Sequence, residues 1–351
     1  MRCARRIDSR CVCDPSDRPS RFVFGYCLNK IVLNAKDVMT REAYDTSRRL
    51  RENIEQVVFG KSDVVQMLVV ALLAGEHILL EDVPGVGKTL AAKALAHSID
   101  GKFNRLQFTP DLLPSDITGS MVYRSDRREF EFHPGPIFAN VVLADEINRA
   151  PPRTQSALLE AMSEGSVSID GVTHPLPQPF IVVATQNPFE FEGTYALPES
   201  QLDRFLLRTS IGYAPRRWER EVLVTHRSGE PVNQLPSVAT LQAIRDAQAN
   251  VREVVFEDSL VNYLLDIVEA TRTHSEFEYG VSTRGALSFY RGCQARALSE
   301  SRDFVTPDDI KALAVATLAH RVVHDSVFQG PTRHLVEKQI ASILEQVEVP
   351  V

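Results

Sequence analysis

The 351-residue sequence contains little that would tie it to a membrane or a polyanion. Its longest apolar stretch, residues 64–75, is interrupted by Gln66 and ends at Glu76 and His77. That is well short of the roughly 20 apolar residues that a bilayer-spanning helix needs, so no membrane insertion is expected. Arg2, Arg5 and Arg6 are not followed by an unbroken apolar segment. The pattern of a secretory signal therefore fails, and a cytoplasmic location is the expectation. Basic residues fall short of acidic ones, 39 against 46, for a formal net charge of −7. A surface of that balance is poorly suited to coating nucleic acid or anionic lipid, although a local basic groove could still lie within it. Compositional extremes are missing too. With 44% hydrophobic and 24% charged residues, 17 glycines and 20 prolines, the chain falls in the ordinary globular range and outside the collagen-like, mucin-like and wholly disordered classes. No fixed-period repeat occurs.

Cysteine is scarce and unevenly placed: Cys3, Cys11, Cys13 and Cys27 crowd the start, and Cys293 is the fifth. Residues 1–38 also carry eight basic and four acidic residues against the acidic remainder, without clear periodicity. Cys11-x-Cys13 with Cys3 and Cys27 could be a zinc or redox site, but it lacks the C-x-x-C pairing usual in structural zinc sites. A poorly ordered tail, or a segment upstream of a true start at Met39, is the expected reading. The length suggests about two domains. From 39 to 214, strand candidates at 78–80, 105–108, 141–144, 180–184 and 206–211 alternate with helical or hairpin segments, which predicts an α/β domain built on a mainly parallel sheet. Two hairpins interrupt it, at 121–132 and at 166–174, the second signalled by Asp170-Gly171 between alternating residues. From 215 to 351, a loop rich in breakers precedes helical patterns at 238–249, 258–273, 283–299, 307–320 and 332–346, which predicts a helical domain.

The apolar run Ile78-Leu79-Leu80 leads into Asp82-Val83-Pro84-Gly85-Val86-Gly87-Lys88-Thr89, after which Leu90, Ala91, Ala94 and Leu95 recur at helical spacing. Strand, glycine turn and helix in that order form a phosphate-binding loop. Pro84 would open the loop, residues 85–90 would present backbone N–H groups to phosphate oxygens, Lys88 would reach the β- and γ-phosphates, and the Thr89 hydroxyl would ligate Mg²⁺. The first glycine of the G-x-x-x-x-G-K-S/T pattern is replaced by Asp82. A second apolar strand closes on Asp145-Glu146, 57 positions after Lys88. A carboxylate at the carboxyl end of a buried strand can hold Mg²⁺ through water, the role expected of Asp145. Its neighbour Glu146 can orient and deprotonate the water that attacks the γ-phosphate. The two motifs in sequence order predict ATP hydrolysis. Asn187, ending another apolar strand, could bond the lytic water, or simply form an Asx turn before Pro188.

The run 79–89, then Thr109-Pro110-Asp111-Leu112-Leu113-Pro114-Ser115-Asp116-Ile117-Thr118-Gly119, Leu143-Ala144-Asp145-Glu146-Ile147-Asn148-Arg149-Ala150, Ala184-Thr185-Gln186-Asn187-Pro188 and Leu202-Asp203-Arg204-Phe205 resemble, in order, the signatures of the MoxR family of AAA+ ATPases. The resemblance spans about residues 45–345, and the family shares the Asp82 departure. It implies an AAA+ nucleotide-binding core followed by an all-helical lid, assembled as a ring, usually hexameric, with ATP between neighbouring subunits. It also implies Asn187 as the sensor of the lytic water, Arg204 as the arginine finger reaching the neighbour's γ-phosphate with Arg208 as its rival, and Arg284 in Ser282-Thr283-Arg284-Gly285-Ala286 as the lid arginine on the phosphates. Phe59 and Gly60 are expected at the adenine pocket, and the two hairpins are expected to contact a client protein. By the same resemblance the ATPase is a chaperone-like remodeller of partner proteins, acting in metal-cofactor insertion or on complexes with von Willebrand factor A domains. A nucleic-acid motor and a non-hydrolysing nucleotide switch are the rival readings. The acidic charge and the few basic residues in the hairpins, Arg124, Arg127 and Arg128, speak against the first.

Overall fold

The short, nearly all-apolar strands at 78–81, 141–145 and 181–186 can be stable only in the middle of a layered structure, and the chain places them at the centre of its sheet. The computed structural model describes residues 40–188, 193–225, 227, 229–325 and 333–350, all within one unit that starts at Thr40. The expected tail and its cysteine pattern lie outside the described residues.

The first elements are α1 (40–55), α2 (Ser62–Ala74), β1 (Ile78–Glu81), α3 (Lys88–Ser98) and β2 (Phe103–Gln107). Next come α4 (Pro114–Thr118), the hairpin β3 (Gly119–Arg124) and β4 (Glu129–Pro134), β5 (Val141–Asp145) and α5 (Pro152–Glu164). A second hairpin, β6 (Ser166–Ile169) and β7 (Val172–Pro175), precedes β8 (Ile181–Gln186), α6 (Glu199–Leu202) and β9 (Leu207–Thr209). Beyond it run α7 (Arg216–Thr225), α8 (Leu241–Val251), α9 (Asp258–Thr273), β10 (Phe277–Tyr279), α10 (Thr283–Ser299), α11 (Pro307–Leu318), β11 (Val323–His324) and α12 (Arg333–Gln346).

The main sheet has the order β2-β5-β8-β1-β9, with every pairing parallel. Alternation along its strands divides the core. Ile78, Leu80, Leu143 and Val183 face one cluster, shared with α2, α3 and the helical part, whereas Leu79, Val142, Ala144 and Val182 face a second, shared with α5. Helix α2 buries Val65, Leu68, Leu72 and others on the first face, each worth roughly 1.5–3 kcal/mol relative to exposure. The helix stops at Gly75, whose φ of 71° lets its N–H turn back to Leu72 O. The fold is thus the expected AAA+ core with a helical lid, although the helical part also carries the short antiparallel ribbon β10–β11. Both expected hairpins form, the second closing on Asp170 and Gly171 with φ of 48° and 80°. Among the described residues no helix is long and apolar enough to cross a membrane.

Candidate functional site

The parallel sheet puts the carboxyl ends of β1, β5 and β8 side by side, and the expected motifs sit at those ends. Between β1 and α3 the chain turns through Gly85 and Gly87, with φ of 86° and 99°, a backbone region that side chains disfavour. A Cβ on either glycine would meet nothing within 4 Å, so the turn faces open space. Together with the N-terminus of α3 it makes a cradle of backbone N–H groups suited to an anion. Lys88 is buried, and its Nζ donates to the carbonyl of Asp82 at 2.6 Å. Burial lowers its pKa, opposed by the carboxylates of Asp82, Asp145, Glu146 and Glu81.

Asp82 stands outside the positive-φ region, so glycine's freedom is not needed there. Its carboxylate accepts from Val83 N at 2.8 Å and from Gly212 N at 2.5 Å, which ties the loop to the segment after β9.

Asp145 and Glu146 are set by the neighbouring strands. The Thr185 hydroxyl, fully buried on β8, donates to Asp145 Oδ1 at 2.6 Å and accepts from Glu146 N at 2.9 Å. Asp145 Oδ2 receives Arg105 of β2 at 2.5 Å, and Glu146 Oε2 receives Gln107 Nε2 at 2.9 Å. Glu146 holds φ 58° and ψ 51°, an arrangement that costs on the order of 1 kcal/mol for a residue with a side chain. Strain of that kind persists where surrounding contacts over-determine it.

Pro84, Gly85, Val86, Gly87, Lys88, Thr89, Leu90, Asp145 and Glu146 all line one cleft of about 840 Å³. Its far wall is made by Val57, Val58, Phe59, Ile211, Tyr213, Val222 and Leu223. Phe59 stacks on Trp218 with centroids 6.0 Å apart, while Gly60 is not among the lining residues. A Cβ on Gly60 would come within 2.2 Å of the Trp218 ring, so that glycine makes room for the indole. Among the described residues no group of three His, Cys, Asp or Glu could hold a metal unaided. Thr89 and Asp145 suit a Mg²⁺ that takes its remaining ligands from phosphate and water, the ion's usual habit.

Four further expected residues, Asn187, Arg204, Arg208 and Arg284, are not in the lining of this cleft. Asn187 is buried just past the end of β8, next to β1, where Asp82 N donates to Gln186 O at 3.1 Å. Arg204 lies beyond α6, and its Nη1 donates to Leu159 O and, at 2.9 Å, to Ser163 Oγ of α5. Its buried Nε has no hydrogen-bond partner among the described residues. Arg208 instead points inward, its guanidinium 2.7 Å from the buried Glu81 carboxylate, which Arg333 of α12 also reaches. Arg284 is exposed in the first turn of α10. Thr185, Arg105, Gln107 and Trp218 were not singled out by the sequence. Their roles depend on which strands and helices adjoin, and a single chain of letters does not record that.

A family model described as the ATPase family associated with various cellular activities (AAA) matches residues 77–207, and a model of an AAA lid domain matches residues 269–343. The uncharacterized protein YeaC of Bacillus subtilis is 49% identical over 302 residues, covering 86% of this chain and 93% of the relative. The chaperone MoxR1 of Mycobacterium tuberculosis is 39% identical over 324 residues, covering 89% of this chain and 84% of the relative. A crystal structure from Cytophaga hutchinsonii, assigned provisionally as an ATPase, is similar with a TM-score of 0.82 at 36% identity, covering 92% of this chain and all of that one.

Proposed function

The chain belongs to the MoxR family of AAA+ ATPases, and from that premise we propose that it is a Mg²⁺-dependent ATP hydrolase that remodels or activates a partner protein. The supporting observation is the convergence in one cleft of the open Gly85–Gly87 turn, Lys88 and the Asp145–Glu146 pair. The backbone of residues 84–90 binds the phosphates, and Lys88 exchanges the Asp82 carbonyl for a phosphate oxygen. Glu146, with Asn187, orients the attacking water and takes its proton at a carboxylate oxygen. Mg²⁺, held through Thr89 and Asp145, would supply neutralisation of the charge that builds on the phosphates. Arg204 belongs to the site of the next subunit in a ring, expected to be hexameric, and Arg284 reaches the phosphates when the lid closes over its own site. The domain division at 214 and 215 follows the same reading: nucleotide core before, lid after.

Glu146→Gln keeps the shape and hydrogen-bonding reach of the side chain while removing the base. Its ATP affinity should stay within about threefold of wild type, and phosphate release should fall by at least about a hundredfold. Undiminished turnover in that variant would refute the assignment of the base. The client is the chaperone-like part of the proposal, supported by the name of MoxR1. Proteins with von Willebrand factor A domains are the class to look for on a Glu146→Gln bait held in its ATP state in the cytoplasm.

A further inference from the structure

Among the described residues, Arg321 is the most completely used guanidinium. It lies just past α11, in the lid, with its side chain 1% exposed. Its Nε donates to Asp203 Oδ1 at 2.8 Å, and Nη2 donates to Asp203 O at 3.3 Å and Phe205 O at 2.7 Å. Nη1 donates to Leu206 O at 3.0 Å and to Thr317 O. All five N–H groups of the fork are thereby satisfied, four of them by residues 203–206. That segment carries Arg204. His320, the adjacent residue, adds a ring nitrogen at 2.9 Å from Phe205 O.

The same two residues also touch the start of α10. The second oxygen of Asp203 accepts from Ser282 Oγ at 3.2 Å, and Ser282 is the N-cap of α10, its hydroxyl accepting from Gly285 N at 3.0 Å. The Arg321 stem runs so close to that turn that a Cβ on Gly285 would stand 2.7 Å from Arg321 Cδ. Arg284 lies between these contacts in sequence. Burying a charge costs several kcal/mol unless it is paired and fully bonded, so a lid arginine committed to these carbonyls is held in one arrangement. Burial indeed lowers the pKa of Arg321 against the opposing pull of Asp203.

We propose that Arg321 and Asp203 are positioning residues that clamp the Arg204 segment to the first turn of α10, so that a shift of Arg284 in one subunit's lid moves Arg204 of the same subunit. This rests on the reading that Arg204 serves the neighbour's site. Because Arg284 answers to the subunit's own nucleotide and Arg204 acts on the next one, the clamp joins adjacent sites around a ring without any further element.

Ser282 offers the mildest test, because it is exposed and its capping role can be kept. Ser282→Asn preserves the cap and can still donate to Asp203, whereas Ser282→Asp preserves the cap but sets a like charge against the Asp203 carboxylate. ATP turnover is measured for each variant alone and mixed with Glu146→Gln subunits, whose own Arg204 is intact, with Arg204→Ala in the same mixture as reference. The expected result is a kcat about tenfold lower for Ser282→Asp with KM within about twofold, near-normal turnover for Ser282→Asn, and recovery of Ser282→Asp in the mixture. Wild-type turnover in Ser282→Asp would overturn the clamp. So would loss that the mixture does not restore while Arg204→Ala is restored, because the defect would then lie in the variant's own site. Absence of recovery for Arg204→Ala itself would overturn the trans-acting arginine and leave the nucleotide cleft untouched.

Discussion

At the scale of single residues, Thr185 decides how the acidic pair is held. One hydroxyl serves both acids, so removing it leaves the partly buried Glu146 N–H and an Asp145 carboxylate oxygen without that partner. Thr185→Val, of nearly the same volume, should lower kcat on the order of ten- to a hundredfold while ATP affinity changes little, as for other partners that orient a reacting group. Thr185→Ser, which keeps the hydroxyl, should restore most of the rate in the same phosphate-release assay. Equal losses in both variants would show that packing rather than the hydrogen bonds matters. The acids themselves were legible in the sequence because they follow an apolar strand at a telling distance from Lys88. Thr185 was in view but carried no signal of its own, since its role depends on β8 lying beside β5. The Asp82 departure from the phosphate-loop pattern makes sense only when Gly212 is seen to approach it.

At the scale of elements, His77 fastens three of them. It precedes β1, accepts from Val182 N of β8 at Nδ1 (3.1 Å), and places Nε2 at 3.1 Å from Met162 O of α5. Those partners fix a neutral ring with the proton on Nε2, and burial lowers the pKa to about 4. An unfolded chain protonates the same ring near pH 6.5. The contribution of His77 is therefore complete above that pH and is lost as pH falls from about 6.5 to about 4, a change of roughly 3 kcal/mol. His77→Gln should flatten the pH dependence of the urea midpoint across that window. An unchanged slope would mean that other groups dominate acid unfolding.

The three inner strands of the sheet, β1, β5 and β8, were readable as apolar runs, and α9 and α10 as helical periods, whereas the edge strand β2 buries only Leu106. Helix α7 was not, because five of its first six residues are charged, Trp218 being the exception, and none of the ten is buried. Strands β10 and β11, of three and two residues, are too short to show a period.

At the scale of the whole molecule, the order of motifs along the chain revealed the core and the lid, but the described residues bring only part of the expected machinery together. The cleft gathers the phosphate loop and both acids, whereas Arg204 is anchored on α5 and Arg284 stands at the head of α10. Arg208, the rival finger, is spent on Glu81 inside the fold, and Arg204 here bonds Leu159 O and Ser163 Oγ of α5. Composition does not say whether copies of the chain share a site, since the same residues would appear in either arrangement. A guanidinium delivered by a neighbour is typically worth 10³-fold or more in rate, so its effect is easy to read. The decisive measurement is ATP turnover in mixtures of Arg204→Ala and Glu146→Gln subunits, each nearly inactive alone. Phosphate release well above the sum of the two separate preparations is the predicted result, because some interfaces then pair an intact acid with an intact arginine. Turnover no greater than that sum, in subunits shown to co-assemble, would contradict a site shared between neighbouring chains.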